Sequence, residues 1–271
     1  MTQTLLKLTD ENYFSPEANW QYMSVSQYKD FVGTMGKKGC EAYARAKLKG
    51  EWVEEPSTAM LVGSYVDAHF EGTLDIFRAK NPQLFKKDMS LKAEYVKAEE
   101  VIARIEKDEF FMNFMSGEKQ TILTAELFGI QWKTKLDSYH REKCIVDLKV
   151  VKDLRETKNV ADYGKLNFIE FWGYDTQGAV YQAIEELNSG NDSLPFFIAA
   201  ADKTKSPDIE IIGIPQTRLD EALASVQANI NRVIDVKAGN VEPDRCGTCD
   251  YCKSTKVLSE IIPFDLLTTD I

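Results

Sequence analysis

The sequence predicts an α/β fold on three observations: stretches with apolar residues at helical spacing, runs rich in β-branched and aromatic residues, and polar turns between them. In chain order, Ser24-Val25-Ser26-Gln27 has the form of a capping box and opens a helix through Tyr28, Phe31 and Val32. A second helical stretch starts at Gly39-Cys40-Glu41 and runs to Leu48, and a third spans Ser57 to Thr73. Ser90 begins a long helix, with Leu91, Tyr95, Ala98, Ile102 and Ile105 near helical spacing. Thr121 to Val150 is the main strand region, and Glu170 to Leu187 is again helical. Phe196 to Ala201 and Ile209 to Ile214 read as two more strands, joined by the polar turn Asp202 to Asp208. Thr217-x-x-Asp220 starts a last long helix, with Leu219, Leu223, Val226, Ile230 and Val233 on one face. Gly239-Asn240-Val241-Glu242-Pro243 is the clearest breaker, and a cysteine-bearing tail follows it. The expected organisation is one domain over residues 1–271, comprising an N-terminal helical segment (1–56), a core (57–238) and the tail (239–271).

Within the strand region, Ile130 to Asp137 and Lys143 to Val150 are expected to pair as a hairpin connected by Tyr139 to Glu142. Asp147 and Lys149 are two apart, so on a strand they point to one face, which Asp137 can reach from the partner strand. Two carboxylates and one ammonium would then converge, a grouping that suits a hard divalent metal and a water poised to attack a phosphate. In a chain with 28% charged residues, an Asp-x-Lys is often only a solvated face. Here Cys144-Ile145-Val146 and Val150-Val151 flank Asp147, which argues for a buried strand, and a buried carboxylate needs a partner or a metal.

Composition bounds the class. A chain of 271 residues with 44% hydrophobic content can bury a sizeable core. Its apolar runs fall short of membrane-spanning length, and Met1 to Lys7 lacks the basic start and apolar core of a signal peptide, so a cytoplasmic location is expected. The net charge of -10 argues against a simple DNA-coating module. It is compatible with a local basic channel inside an acidic exterior.

Three further features accompany the strands. His69 lies in the stretch Gly63 to Glu71; a lone histidine is more often structural, but this chain has only two. Gln177 and Tyr181, four apart, share one helix face with Tyr174 nearby, and both can hydrogen-bond a phosphate or a carboxylate. Glu126 could supply another carboxylate, although a surface glutamate on a hairpin is equally ordinary.

Of five cysteines, Cys246, Cys249 and Cys252 form a Cys-x-x-Cys-x-x-Cys run, close enough to share one centre. A fourth thiolate from a distant segment completes many [4Fe-4S] clusters, and zinc in a four-cysteine site is the alternative. Cys144, on the strand, is expected only to pack.

Asp137 followed by Asp147-Leu148-Lys149 resembles the signature of the PD-(D/E)xK nuclease superfamily. The Gly63 to Glu71 helix resembles the histidine motif of its RecB-like branch, and Tyr174, Gln177 and Tyr181 resemble that branch's Gln-x-x-x-Tyr motif. The motif order agrees from about Cys40 to Cys252, and the pattern looks closest to phage and prophage RecE-like exonucleases. One departure is Lys135-Leu136-Asp137 in place of the usual lead before the first aspartate, which leaves Lys135 as a candidate phosphate contact.

The resemblance implies a central mixed sheet flanked by helices and metal-dependent hydrolysis of DNA ends for recombination. Asp137, Asp147 and the Leu148 carbonyl would hold Mg²⁺ or Mn²⁺, with His69 at the edge of the metal site. Lys149 would act on the attacking water, and Gln177 and Tyr181 would position the strand or a carboxylate. The resemblance also makes Cys40 the fourth cluster ligand, with [4Fe-4S] favoured over zinc, and implies DNA and a single-strand annealing protein as partners, with oligomerisation open. The competing expectations are a catalytically silent DNA-binding or assembly protein on the same fold, and an iron-sulfur scaffold.

Overall fold

A computed structural model describes residues 4–259 and 261–264. The expected segments 1–56 and 239–271, and the reading of Met1 to Lys7, therefore run partly outside the described residues. The elements in order are α1 (Pro16–Gln21), α2 (Val25–Val32), β1 (Gly33–Thr34), β2 (Lys37–Lys38), α3 (Glu41–Lys49), α4 (Thr58–Phe70), α5 (Leu74–Lys80), α6 (Ala93–Glu106) and α7 (Glu109–Phe114). Then come β3 (Thr121–Leu127), β4 (Ile130–Leu136), β5 (Ser138–His140), β6 (Cys144–Val151), β7 (Lys158–Val160) and β8 (Gly164–Leu166). The chain continues with α8 (Phe168–Trp172), α9 (Tyr174–Ser189), β9 (Phe196–Asp202), β10 (Ile209–Gly213), α10 (Gln216–Ala238) and α11 (Asp250–Ser254).

The central sheet has the order β10-β9-β6-β5 and is mixed: β6 runs parallel to β9, and the outer pairs are antiparallel. A parallel pair needs a long crossover, and α8 and α9 supply it. Helices cover both faces. Val146, Leu148, Ala199 and Ala201 pack against α4 and α6, whereas Ile145, Phe196, Ile198 and Ala200 pack against α9 and the start of α10. The run Ala199-Ala200-Ala201 is fully buried, and its small side chains allow close approach on both faces. Gly178 of α9 lies against the Phe196 ring, where a Cβ would come within 2.5 Å of the ring, so only glycine fits this approach.

Two expectations need correction. Strand β4 does not pair with β6 as a long hairpin. It pairs antiparallel with β3 in a separate two-stranded sheet, and the chain then kinks at Asp137 before β5 joins β6. The segment Glu170 to Leu187 is not one helix, because Gly173 adopts the left-handed conformation (φ 62°) and caps α8 before α9 starts. The long helix expected from Ser90 begins at Ala93.

The helix starts are held by side-chain caps, although the capping box expected at Ser24 is only half formed, because the Gln27 side chain bonds Asn19 and Lys237 instead. Ser24 accepts from the Gln27 amide, Cys40 from Tyr43, and Ser57 from Met60. The N-terminal segment is tied down by two buried lysines. Lys237 donates to the carbonyls of Asn19 and Tyr22 at 2.8 and 2.9 Å, satisfying the C-terminal end of α1, and to Gln27 Oε1 at 2.9 Å. Lys133, 1% exposed, donates to the Tyr13 carbonyl and, at 2.8 Å, to Asn19 Oδ1. Among the described residues no helix is long and apolar enough to cross a membrane.

Candidate active site and cysteine centre

Strand β6 is central, with β5 on one side and β9 on the other, which is why its Asp147 is 2% exposed. The β5–β6 register ends at Ser138 opposite Val146, so one step further sets Asp137 opposite Asp147. The Asp137 carboxylate turns back onto β6, where Oδ2 accepts from the Leu148 amide at 2.9 Å. Lys149 lies on the same face as Asp147 and forms an ion pair with its Oδ2. From α9, Gln177 Nε2 donates to Asp147 Oδ1 at 2.6 Å. Asp147 Oδ2 is buried as well, and the Lys149 ammonium is the partner that offsets its charge.

The charges perturb one another. Burial and the neighbouring Asp147 carboxylate push the Asp137 carboxyl up to about 7. Burial lowers the Lys149 ammonium, but Asp147 and Asp137 outweigh it and hold the ammonium above its ordinary range. Burial and the Asp147 charge also push the Tyr181 phenol up, so it stays a donor.

Helix α4 contributes a residue that the sequence reading did not select. Asp67 lines the cleft, and burial together with the Asp137 charge holds its carboxyl well above the usual carboxylate range. Glu71, one turn later, lines the same wall. His69 lies about 200° around the helix from Asp67 and hydrogen-bonds Glu106 at 2.8 Å. Of the two, Asp67 and not His69 therefore stands in the cleft wall near Asp137. Period alone separates these two residues, but which face turns inward is fixed by the packing of Val62, Tyr65 and Val66 against α6 and the sheet.

Other candidates divide in the same way. Glu126 is exposed on β3 and accepts from Gln131 at 3.2 Å, so it stands apart from the carboxylates, because β3 lies outside the central sheet. Lys135 lines the cleft beside Asp137 and pairs with Asp10 at 3.0 Å. The Leu148 carbonyl accepts from Lys149 Nζ at 3.4 Å. Lys29 is another cleft cation that the sequence did not signal. Its Nζ donates to the Trp172 carbonyl at 3.0 Å, and burial and the nearby Lys149 charge lower it to about 8.

Two cavities of about 760 and 880 Å³ meet at this point. Lys149 and Gln177 line the first, Asp137 and Tyr181 line the second, and Ser26, Ser64 and Asp67 border both. The carboxylates thus lie at the waist of one continuous cleft.

The second constellation joins the two ends of the chain. Cys40, at the start of α3, meets Cys246, Cys249 and Cys252, and their four sulfurs lie within 4.8 Å of one another. The Cys40–Cys252 and Cys246–Cys252 sulfurs are 3.5 and 3.9 Å apart, with no disulfide. Backbone amides support the sulfurs: Cys246 N and Tyr43 N donate to Cys40 at 3.5 Å, Cys249 N to Cys246 at 3.3 Å, and Cys252 N to Cys249 at 3.4 Å. Although burial raises the Cys246 thiol, the donors from Cys249 and Thr248 bring it down to about 6, which favours thiolate. Cys144 lies apart, packed against the core formed by α4, α6 and the sheet.

A mixed central sheet between helices, with an aspartate and a lysine on its inner strand β6 and a second aspartate just before β5, defines a PD-(D/E)xK-type α/β protein. The chain belongs to the family described as "PDDEXK-like domain of unknown function (DUF3799)", whose model matches residues 24–255. It is 54% identical to a candidate exonuclease from Eubacterium rectale of known crystal structure, with a TM-score of 0.95 over 98% of this chain and 100% of that one. A second solved structure, SSO0001, is 11% identical with a TM-score of 0.27, over 71% of this chain and 85% of that chain. No curated protein matches.

Proposed function

We propose that this chain is a metal-dependent exodeoxyribonuclease that hydrolyses phosphodiester bonds at DNA ends. The observation that carries this reading is the meeting of Asp137, Asp147 and Lys149 at the waist of an open cleft. The name of the Eubacterium rectale relative, a candidate exonuclease, supports it.

The residues fit a hard divalent cation, Mg²⁺ or Mn²⁺. They offer carboxylate and carbonyl oxygens from Asp137, Asp147 and Leu148, and the two buried carboxylates stand close enough for the Asp147 charge to push the Asp137 carboxyl up, a repulsion that a cation would relieve. Asp67, whose carboxyl lines the cleft near Asp137, would add a further oxygen ligand where His69 was the expected one. Bound there, the ion would polarise the phosphate and lower the pKa of water. Lys149 would hold the attacking water and offset the charge that develops on the phosphate oxygens. Gln177 would fix the orientation of Asp147, and the protonated Tyr181 would donate a hydrogen bond to the substrate strand.

The cysteine centre is read as a structural metal site. A tetrahedral zinc with bonds of about 2.3 Å to sulfur spaces its ligands about 3.8 Å apart. In a four-iron cluster each thiolate binds its own iron, which sets the sulfurs further apart. The separations of 3.5 and 3.9 Å, in a set that all lies within 4.8 Å, support a single ion, and zinc is the occupant we propose ahead of [4Fe-4S].

The test is degradation of end-labelled linear duplex and covalently closed circular DNA with Mg²⁺. The expected result is loss of label from linear DNA while circles survive. Nicked or linearised circles would assign endonuclease action. Binding without cleavage would favour the silent DNA-binding role.

A further inference from the structure

We propose that the substrate strand lies unpaired as it crosses the carboxylates, with a nucleobase stacked on Trp172. This inference rests on the nuclease reading and names the form of DNA that its site accepts. Trp172 ends α8 with 41% of its surface exposed, a high fraction for the largest apolar side chain. It is not at a random surface position, because it lines the same cavity as Lys149, Asp67 and Gln177.

The backbone that carries the ring is tied down before any ligand arrives. The Trp172 carbonyl accepts from Lys29 Nζ at 3.0 Å, and the Phe171 carbonyl from Thr34 Oγ1 at 2.8 Å. Phe171 meets Trp172 edge-on, with ring centroids 4.8 Å apart. Lys158 Nζ lies 4.1 Å from the Phe171 centroid and 5.2 Å from that of Trp172, so an ammonium stands over the aromatic pair. Lysines outnumber carboxylates along this cavity, six (Lys149 among them) against Asp67, Asp153 and Glu156, although the chain has a net charge of -10.

A fixed aromatic face beside clustered ammonium groups fits one ligand chemistry: a π-face next to a phosphodiester. Inside a duplex the base faces are covered by their neighbours, and a blunt end exposes only its terminal pair, so a base that stacks on Trp172 beside the carboxylates within the cleft is best supplied by an unpaired strand. The far side of the waist also presents aromatic surface, because Phe14 and Trp20, 74% and 39% exposed, line the second cavity. A single strand running through the cleft would meet an aromatic surface before and after the carboxylates.

The experiment uses the full chain and single-stranded oligonucleotides with Mg²⁺. The variant Trp172→Ala should raise KM for the oligonucleotide by about tenfold with far less change in kcat, and Trp172→Phe should restore most of the loss. In the unmodified protein, an oligonucleotide with 2-aminopurine at successive positions should show quenching confined to one or two sites; this measurement needs no variant to fold. A blunt duplex should react more slowly than one with a single-stranded tail. An unchanged KM in Trp172→Ala, uniform 2-aminopurine signals, or equal rates on blunt and tailed ends would each overturn the stacking proposal while leaving the nuclease reading intact. A wild-type protein that cleaves no DNA would overturn both.

Discussion

Gln177 on α9 reaches across to β6 and donates to Asp147 Oδ1 at 2.6 Å, which leaves Oδ2 facing Lys149. One carboxylate oxygen is thus occupied by a neutral donor and the other is kept for charge. The helix and the strand that make this contact are joined by the crossover that makes β6 and β9 parallel. The topology therefore brings the two motifs together.

Asp147→Asn is expected to remove Mg²⁺-dependent cleavage while the fold survives, because the amide keeps the shape and loses the ligand charge. Lys149→Ala should lower kcat by about a hundredfold to a thousandfold with little effect on metal affinity, since an ammonium is not a ligand. Gln177→Ala should act through Asp147 and cost less than either. Initial rates over a Mg²⁺ titration, with circular dichroism as the folding control, separate these outcomes. Full activity in Asp147→Asn would remove the assignment.

Asp67 and His69 give a direct comparison on one helix. Asp67→Asn should raise the Mg²⁺ concentration needed for half-maximal rate by about tenfold. His69→Ala should leave that concentration unchanged, because the imidazole faces Glu106 and not the cleft. The reverse result would return the metal position to His69.

The site was legible where a local rule decides the geometry. Asp147 and Lys149 were readable from the two-residue strand period and their apolar flanks, and the cysteine run from its spacing. Cys40 and Ser24 were readable as helix starts. Asp67 was not selected, because a helix period states which residues share a face but not which face the rest of the molecule covers. The β3–β4 pairing was missed because both β4 and β6 are β-rich, and only the kink at Asp137 separates two partners. The break at Gly173 was missed because a glycine between two helical patterns signals a left-handed turn only when a helix cap forms there.

The pH dependence follows from Asp137. Its carboxyl titrates near 7 in the folded chain, against about 3.9 unfolded. In the metal-free protein this group favours folding fully below about pH 4, and the contribution is lost as pH rises through about 7. Metal binding needs the carboxylate, so it displaces a proton. Apparent Mg²⁺ affinity should fall by about tenfold per pH unit below about 7 from Asp137 alone, and more steeply where Asp67 must lose its proton as well. Mg²⁺ titrations at pH 6, 7 and 8, paired with unfolding in chelator at pH 5 and 8, check both signs. Affinity that is flat with pH would show that Asp137 is already ionised.

The cysteine centre makes the most global prediction, because Cys40 and Cys252 are 212 residues apart and their sulfurs are 3.5 Å apart. A metal bound to all four sulfurs closes that long loop in the native state alone, so its binding free energy adds to folding. Elemental analysis of protein purified without oxygen should give one zinc per chain and neither iron nor sulfide. Serine at Cys40, Cys246, Cys249 or Cys252 should remove the metal and lower the thermal midpoint by on the order of 10 °C. Cys144→Ser should keep the metal, since its sulfur belongs to another part of the core. Iron and sulfide in equal amounts would restore the four-iron cluster in place of zinc. Full stability without any metal would reduce the four sulfurs to packing, and Cys40 would then hold α3 only as its N-cap.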